Sequence, residues 1–187
     1  MDIKDMISIL KNMITEKRLV HSLGVVESAK KLAKIYGEDV KKAEVAALLH
    51  DCAKCLGKDE VLYYVRKYNI LLDDIQKKEL ELAHGIVGAY ISKDIFKVDD
   101  ESILSAITYH TTGKENMSKL EKIIYVADFI EPNRDYPGVD KLRNTAYNED
   151  LDKALLMSFD NTIKYVISIQ KILHPITVKA RNYLLCK

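Results

Sequence analysis

The apolar run Ala46-Ala47-Leu48-Leu49 ends in His50-Asp51, which places an imidazole and a carboxylate where a helix would bury them. A buried carboxylate without compensation is costly, so Asp51 must be paired, hydrogen-bonded or bound to a cation. Adjacent side chains on a helix diverge by about 100°, and both can still turn towards one ion held against the helix surface. His21 upstream and Asp128 downstream complete a set of two imidazoles and two carboxylates. Asp128 also follows an apolar stretch, Ile123-Ile124-Tyr125-Val126-Ala127. Such a mixed nitrogen and oxygen set suits a catalytic divalent metal better than a structural zinc. The competing account is an ion pair of Asp51 with Lys54 or an arginine, and spacing alone leaves both open.

Basic residues accompany these groups. Arg18 lies one turn before His21, so its guanidinium can share a phosphate with whatever the imidazole holds. Lys54, three residues beyond Asp51, can reach the same anion. Arg134 follows Glu131-Pro132-Asn133 in an expected loop, where it either presents its fork to phosphate oxygens or pairs with Glu131 or Asp135. His84 precedes Gly85 and, further on, Gly88-Ala89, small residues that admit a ligand or a neighbouring helix. His110-Thr111-Thr112-Gly113 offers an imidazole, two hydroxyls and a turn glycine, and equally describes a helix end with its histidine on the dipole. His174, before Pro175, is expected to be structural. Cys52 and Cys55 form a C-x-x-C pair without the βαβ context of a redox motif, and Cys186 alone does not complete a zinc site. The pair is expected to be two small, partly buried residues flanking the helix end.

These groups need a scaffold, and period-3.6 apolar patterns supply one along nearly the whole chain. Helices are predicted at roughly 2–14, 16–36, 39–54, 58–68, 75–96 with a break near Ala83, 100–111, 118–131, 138–146, 149–172 and 176–186. Gly37 suits the end of the second helix and Pro175 the start of the last. Ile70-Leu71-Leu72 is the only strand-like run, and it is short. Segments 111–117 and 132–137 are expected to be irregular, and both directly follow candidate site residues. The fold class is therefore all-α, a helical bundle whose loops serve the chemistry.

Composition narrows the function classes. The chain has 187 residues, 48% hydrophobic and 30% charged, as expected of one ordinary globular domain spanning 1–187. A net charge of +1 gives no global field towards nucleic acid or membrane, so attraction for a phosphorylated ligand must be local. No apolar run approaches the roughly 18–20 residues that cross a bilayer. Three cysteines and the absence of a signal-peptide pattern point to the cytoplasm.

The order His21, His50-Asp51, Asp128 resembles that of the HD-domain metal-dependent phosphohydrolase superfamily, an all-helical bundle named for its His-Asp doublet. More narrowly, Arg18-Leu19-Val20-His21, His50-Asp51-Cys52-Ala53-Lys54, Ala83-His84-Gly85, His110-Thr111-Thr112-Gly113 and Asp128-Phe129-Ile130-Glu131-Pro132-Asn133-Arg134 look like the YqeK family of bacterial symmetrical bis(5′-nucleosyl)-tetraphosphatases. His174-Pro175 and Ala180-Arg181-Asn182 are similar too, so the resemblance covers almost the whole chain. It implies an iron-type divalent metal on His21, His50, Asp51 and Asp128, with manganese, cobalt or zinc as substitutes. It implies a nucleotide site from Arg18, Lys54, His84, His110, Thr111 and Arg134, with His21, Asp51, Cys52, Ala53 and Asp128 also against the substrate. Asp51, Lys54, His84 and His110 would be the catalytic groups. The substrate would be diadenosine tetraphosphate, cut to two ADP, with no nucleic-acid or membrane partner and a homodimer left open. The rival readings are an HD-type hydrolase of another nucleotide (a nucleoside monophosphate, a deoxynucleotide or a cyclic dinucleotide), and a non-catalytic nucleotide-binding regulator.

Overall fold

The computed structural model describes residues 1–186; Lys187, the last residue of the expected domain, lies outside the described residues. Among the described residues there are eleven α-helices and no strand. In chain order they are α1 Ile3–Leu10, α2 Glu16–Tyr36, α3 Val40–Leu49, α4 Lys58–Lys67, α5 Asp74–Lys78, α6 His84–Asp94, α7 Glu101–Tyr109, α8 Lys119–Ile130, α9 Val139–Asn148, α10 Leu151–Ser168 and α11 Pro175–Leu185. A 3-10 turn, Leu80–Ala83, leads into α6.

Local chemistry sets the boundaries. The Thr15 hydroxyl accepts from the Arg18 N–H to open α2, and Gly37, at φ 63°, closes it in the left-handed conformation. Ser118 and Glu121 cap α8 reciprocally. The expected helix over 39–54 ends early, at Leu49. Beyond it the Cys52 N–H bonds to Leu49 O and the Lys54 N–H to Asp51 O, each three residues back, so residues 50–55 form tight turns. His50 therefore caps the helix and Asp51 leaves it, which corrects the picture of both projecting from one helix. The expected break near Ala83 is present, between the 3-10 turn and α6. The expected helix 149–172 stops at Ser168, where Gln170 takes a left-handed φ of 55° and the Lys171 N–H bonds to Val166 O. A glutamine at that position gives no sequence signal. Ile70-Leu71-Leu72 pairs with no strand, and only Ile70 of the three is buried.

The core is built from α2, α3, α7 and α8, with α6 on α7 and with α9 and α10 on α8. Residues 123–127 of α8 are all buried, as are Leu32, Leu48 and Ile107 from the facing helices. Burial on this scale drives the packing that holds α3, α7 and α8 with their C-terminal ends towards the site. No helix among the described residues is long and apolar enough to cross a membrane.

Candidate metal and phosphate site

Four histidines surround one carboxylate. Asp51, 4% exposed, divides its two oxygens between them. Its Oδ2 lies 2.7 Å from Arg18 Nη1, 3.3 Å from His50 Nε2 and 3.8 Å from His21 Nε2. Its Oδ1 lies 3.2 Å from His84 Nε2 and 3.4 Å from His110 Nε2. Asp128 closes the other side, with Oδ1 3.0 Å from His21 Nε2 and 2.7 Å from Arg134 Nη2.

Every one of these rings has its Nδ1 engaged away from the centre. His50 donates Nδ1–H to Ala47 O at 2.7 Å, and His110 does the same to Ile107 O at 2.7 Å. His84 donates to Glu81 O. His21 donates to the Glu131 carboxylate at 3.2 Å. With the proton fixed on Nδ1, each neutral ring presents a bare Nε2 lone pair inwards. The Nε2 atoms of His21 and His50 are buried and have no hydrogen-bond partner, although carboxylate oxygens lie close by. Lone pairs held against carboxylate oxygens repel unless a cation lies between them, so this donor set fits a divalent metal.

The electrostatics agree. Burial pushes the Asp51 carboxyl up, but the positive charge that His50 can carry, with the His110 and His84 rings close by, outweighs it and holds Asp51 well below the usual carboxylate range. Asp128 is likewise raised by burial and lowered more strongly by His21, His50 and Arg134. Burial disfavours charge on His50, yet the adjacent Asp51 raises its affinity for a proton, as it would for any cation. His84 goes the other way: burial, with the charges of His110 and Lys54, lowers it to about 4, so at neutral pH it is an acceptor.

His84 and His110 form a second centre. Their Nε2 atoms face each other at 3.0 Å, and the Thr111 hydroxyl is 3.0 Å from both. Asp51, His84 and His110 together have the spacing of a three-donor metal group, as do His21, His50 and Asp51. Gly85 makes this meeting possible, because a Cβ there would stand 2.5 Å from Thr108 O on α7.

The remaining candidates sort by access. A cleft of about 630 Å³ opens beside His21, lined by Lys17, Arg18, Glu131, Asn133 and Arg134 among others. Lys54 is exposed, with its charge felt at His84. Arg18 and Arg134 reach the site, tied to Asp51 and Asp128; neither the Lys54 pairing of Asp51 nor the Glu131 or Asp135 pairing of Arg134 is the one formed. Cys52 and Ala53 are buried, 1% and 2% exposed, with the Cys52 thiol directed at Gly88 O and Ser92 on α6. Their side chains do not face the cleft, so only their main chain is left to meet a substrate. Burial pushes the Cys52 thiol up to about 12, whereas Cys55 is exposed; the expected pair of partly buried cysteines is thus split. His174 caps α11 instead, accepting from the Ile176 N–H and donating to Asp73. A second hollow of about 520 Å³ runs along residues 135–140, and the rejected Arg134 partner Asp135 lies there.

Sequence reading missed three supports. Glu131 was expected only as a partner for Arg134, yet it orients His21. Asn133 donates both its main-chain and side-chain N–H groups to Glu131 Oε2. Arg143 on α9 donates to the carbonyls of Ile130, Glu131 and Arg134, fixing the loop that carries them. The one available signal was Gly24, a glycine inside a helix one turn after His21. A Cβ there would lie 2.4 Å from Glu131 Oε2.

Comparison with known proteins agrees with this arrangement. Residues 18–133 match the family model described as HD domain. The chain is 43% identical to the symmetrical bis(5′-nucleosyl)-tetraphosphatase of Halalkalibacterium halodurans, over 96% of this chain and 95% of that one. It is 41% identical to the protein of the same name from Bacillus subtilis, over 98% of each. A crystal structure of a "predicted HD superfamily hydrolase involved in NAD metabolism" from Clostridium acetobutylicum superposes with a TM-score of 0.95 at 48% identity, covering 100% of this chain and 98% of that one. With the His-Asp doublet at the centre of an all-helical bundle and these relatives matching nearly end to end, the chain belongs to the HD domain family, in the group whose members carry the name symmetrical bis(5′-nucleosyl)-tetraphosphatase.

Proposed function

We propose that this chain is a metal-dependent phosphohydrolase that cleaves diadenosine tetraphosphate symmetrically to two ADP, with His21, His50, Asp51 and Asp128 as the metal ligands. The observation that carries the reading is the pair of buried, partnerless Nε2 atoms of His21 and His50 beside the two carboxylates. A divalent ion there supplies Lewis acidity towards a phosphoryl oxygen and makes water a better nucleophile. Iron is the metal the family resemblance favours, and manganese, cobalt or zinc could take its place in the same mixed donor set.

The protein's own groups do the rest. Arg18 and Arg134, held at the cleft mouth by Asp51 and Asp128, can exchange those carboxylates for phosphate oxygens and clamp one ADP half. Lys54 and Thr111 extend the polar lining on the side of His84 and His110. Attack at the phosphorus beside the central bridging oxygen breaks that P–O bond and releases the other half as ADP. A proton taken up between the facing Nε2 atoms of His84 and His110 when the polyphosphate binds can reduce the charge on the departing oxygen. The same gap supports a second reading, in which it holds a further ion that uses Asp51 Oδ1 as third ligand. The reaction needs no nucleic-acid or membrane partner, and cytoplasmic location and a homodimer are compatible with it.

Elemental analysis of anaerobically purified protein, followed by product analysis with diadenosine tetraphosphate, tests the whole reading. One metal per chain supports the shared proton, and two support the second ion. Hydrolysis in oxygen-18 water should label half of the ADP. AMP plus ATP as first products would refute the symmetrical cut. Turnover of only a nucleoside monophosphate, a deoxynucleotide or a cyclic dinucleotide would move the chain to another HD activity. Binding without turnover would make it a regulator.

A further inference from the structure

We propose that Glu131 is a positioning residue that sets the tautomer of His21, and that Asn133 and Gly24 exist in this site to hold Glu131 in place; the inference rests on the metal reading above. His21 lies inside α2, in its second turn, where the backbone carbonyls are committed to the helix. Its ring therefore needs an acceptor from elsewhere, and Glu131 Oε1 supplies it at 3.2 Å. Glu131 is 2% exposed. Its other oxygen accepts from the Asn133 main-chain N–H at 2.7 Å and from the Asn133 amide at 3.0 Å. An ionised carboxylate only accepts, so the proton in the His21 contact belongs to Nδ1 and the Nε2 lone pair is free for the metal. Gly24 leaves the space that the carboxylate fills, because a Cβ there would be 2.4 Å from Oε2.

The arrangement makes the isosteric variant Glu131→Gln unusually informative. A glutamine must turn one oxygen and one NH2 group towards two different neighbours. The Asn133 main-chain N–H cannot be reversed, so the oxygen has to face it. The NH2 group then faces His21 Nδ1, which must become an acceptor, and the ring proton moves to Nε2. One atom's change at Glu131 puts a proton on the nitrogen that should bind metal.

The test is 15N NMR of histidine-labelled full chain, with and without zinc, alongside spectrophotometric titration with cobalt ions. The wild type should show His21 protonated on Nδ1, and Glu131→Gln should show it protonated on Nε2. Cobalt affinity should fall about tenfold to a hundredfold, the usual effect of removing such an outer partner. Gly24→Ala, which displaces the carboxylate without altering its chemistry, should lower cobalt affinity in the same direction. A merely structural Glu131 would change the melting temperature and leave the tautomer alone. Retention of the Nδ1–H tautomer in Glu131→Gln, or unchanged cobalt affinity in both variants, overturns the proposal. A wild type that takes up no cobalt or zinc sinks the metal reading itself, which the titration of the unmodified chain reveals separately.

Discussion

His50, His84 and His110 each fold back on their own segment and donate Nδ1–H to the carbonyl three residues earlier, whereas His21 reaches 110 positions along the chain to Glu131. The difference follows from position. His50 and His110 cap the C-terminal ends of α3 and α7, where the backbone ladder leaves carbonyls over, and His84 turns back onto a carbonyl of the 3-10 turn that precedes it. His21 has none. Three rings are thus oriented by local chain geometry and one by tertiary structure, although all four present the same nitrogen to the same centre. The locally oriented rings should survive small changes in packing, and the His21 side should be the first to lose its ligand.

The largest effect should come from the group both sides share. Asp51→Ala removes the carboxylate that touches all four rings, and it should lower activity by more than the about hundredfold expected for an outer partner, with metal content lost. A variant that keeps full metal occupancy would break the comparison at its root. Next come the two glycines, one on each side. Gly85→Ala drives a Cβ onto backbone at 2.5 Å and should cost about 1–3 kcal/mol in chemical denaturation, offset in part by alanine's better helix propensity. Gly24→Ala meets a side chain instead, so its stability should change less while its metal affinity falls further. Equal losses of both quantities in the two variants would show that the sides do not differ.

Much of this was legible because local chemistry writes local structure. The α2 boundaries follow from Thr15 and Gly37, and the break before His84 lies where the small residues begin. His50, Asp51 and Asp128 were legible as polar residues ending apolar runs, since an imidazole or carboxylate there needs a reason, and His21 joined them through the order of the family resemblance. What stayed hidden was set by contacts across the fold. Nothing near Asp51 told that α3 stops at Leu49, because the next breaker in the sequence is Gly57. Nothing in Arg143 told that it would brace the 130–134 loop from another helix. Glu131 was visible but assigned to its sequence neighbour Arg134, whereas its partner is an imidazole 110 residues away. The one local clue was a helical glycine whose missing Cβ makes sense only once the carboxylate is in view.

A pH experiment sharpens the contrast within the locally oriented set. His84 is held at about 4 by burial together with the charges of His110 and Lys54, against the opposing pull of Asp51. In metal-free protein its NMR titration should have a midpoint near 4, and it should be neutral throughout the neutral range. An unfolded histidine titrates near 6.5, so between 6.5 and 4 the unfolded state binds the extra proton. The His84 contribution to stability is therefore complete above pH 6.5 and is lost as pH falls towards 4. A midpoint at or above 6.5 would mean that the pair already carries a proton at rest.

The smallest expected effect concerns the fifth histidine, which reverses the pattern. His174 caps α11 by accepting at Nδ1 from the Ile176 N–H, 3.2 Å away, and it donates from Nε2 to Asp73. Its tautomer is thus the opposite of the other four, because here Nδ1 meets a free N–H of a helix start, whereas theirs meets a carbonyl or carboxylate oxygen. His174→Ala should cost about 1 kcal/mol in urea denaturation, the usual worth of a lost cap, and His174→Asn should restore most of it because an asparagine oxygen accepts from the same N–H. Histidine NMR should show Nε2–H at this residue and Nδ1–H at the other four in the metal-free chain. If His174 shared their tautomer, or if the asparagine variant were no better than alanine, the rule that the atom facing Nδ1 dictates the ring's proton would fail where it is easiest to test.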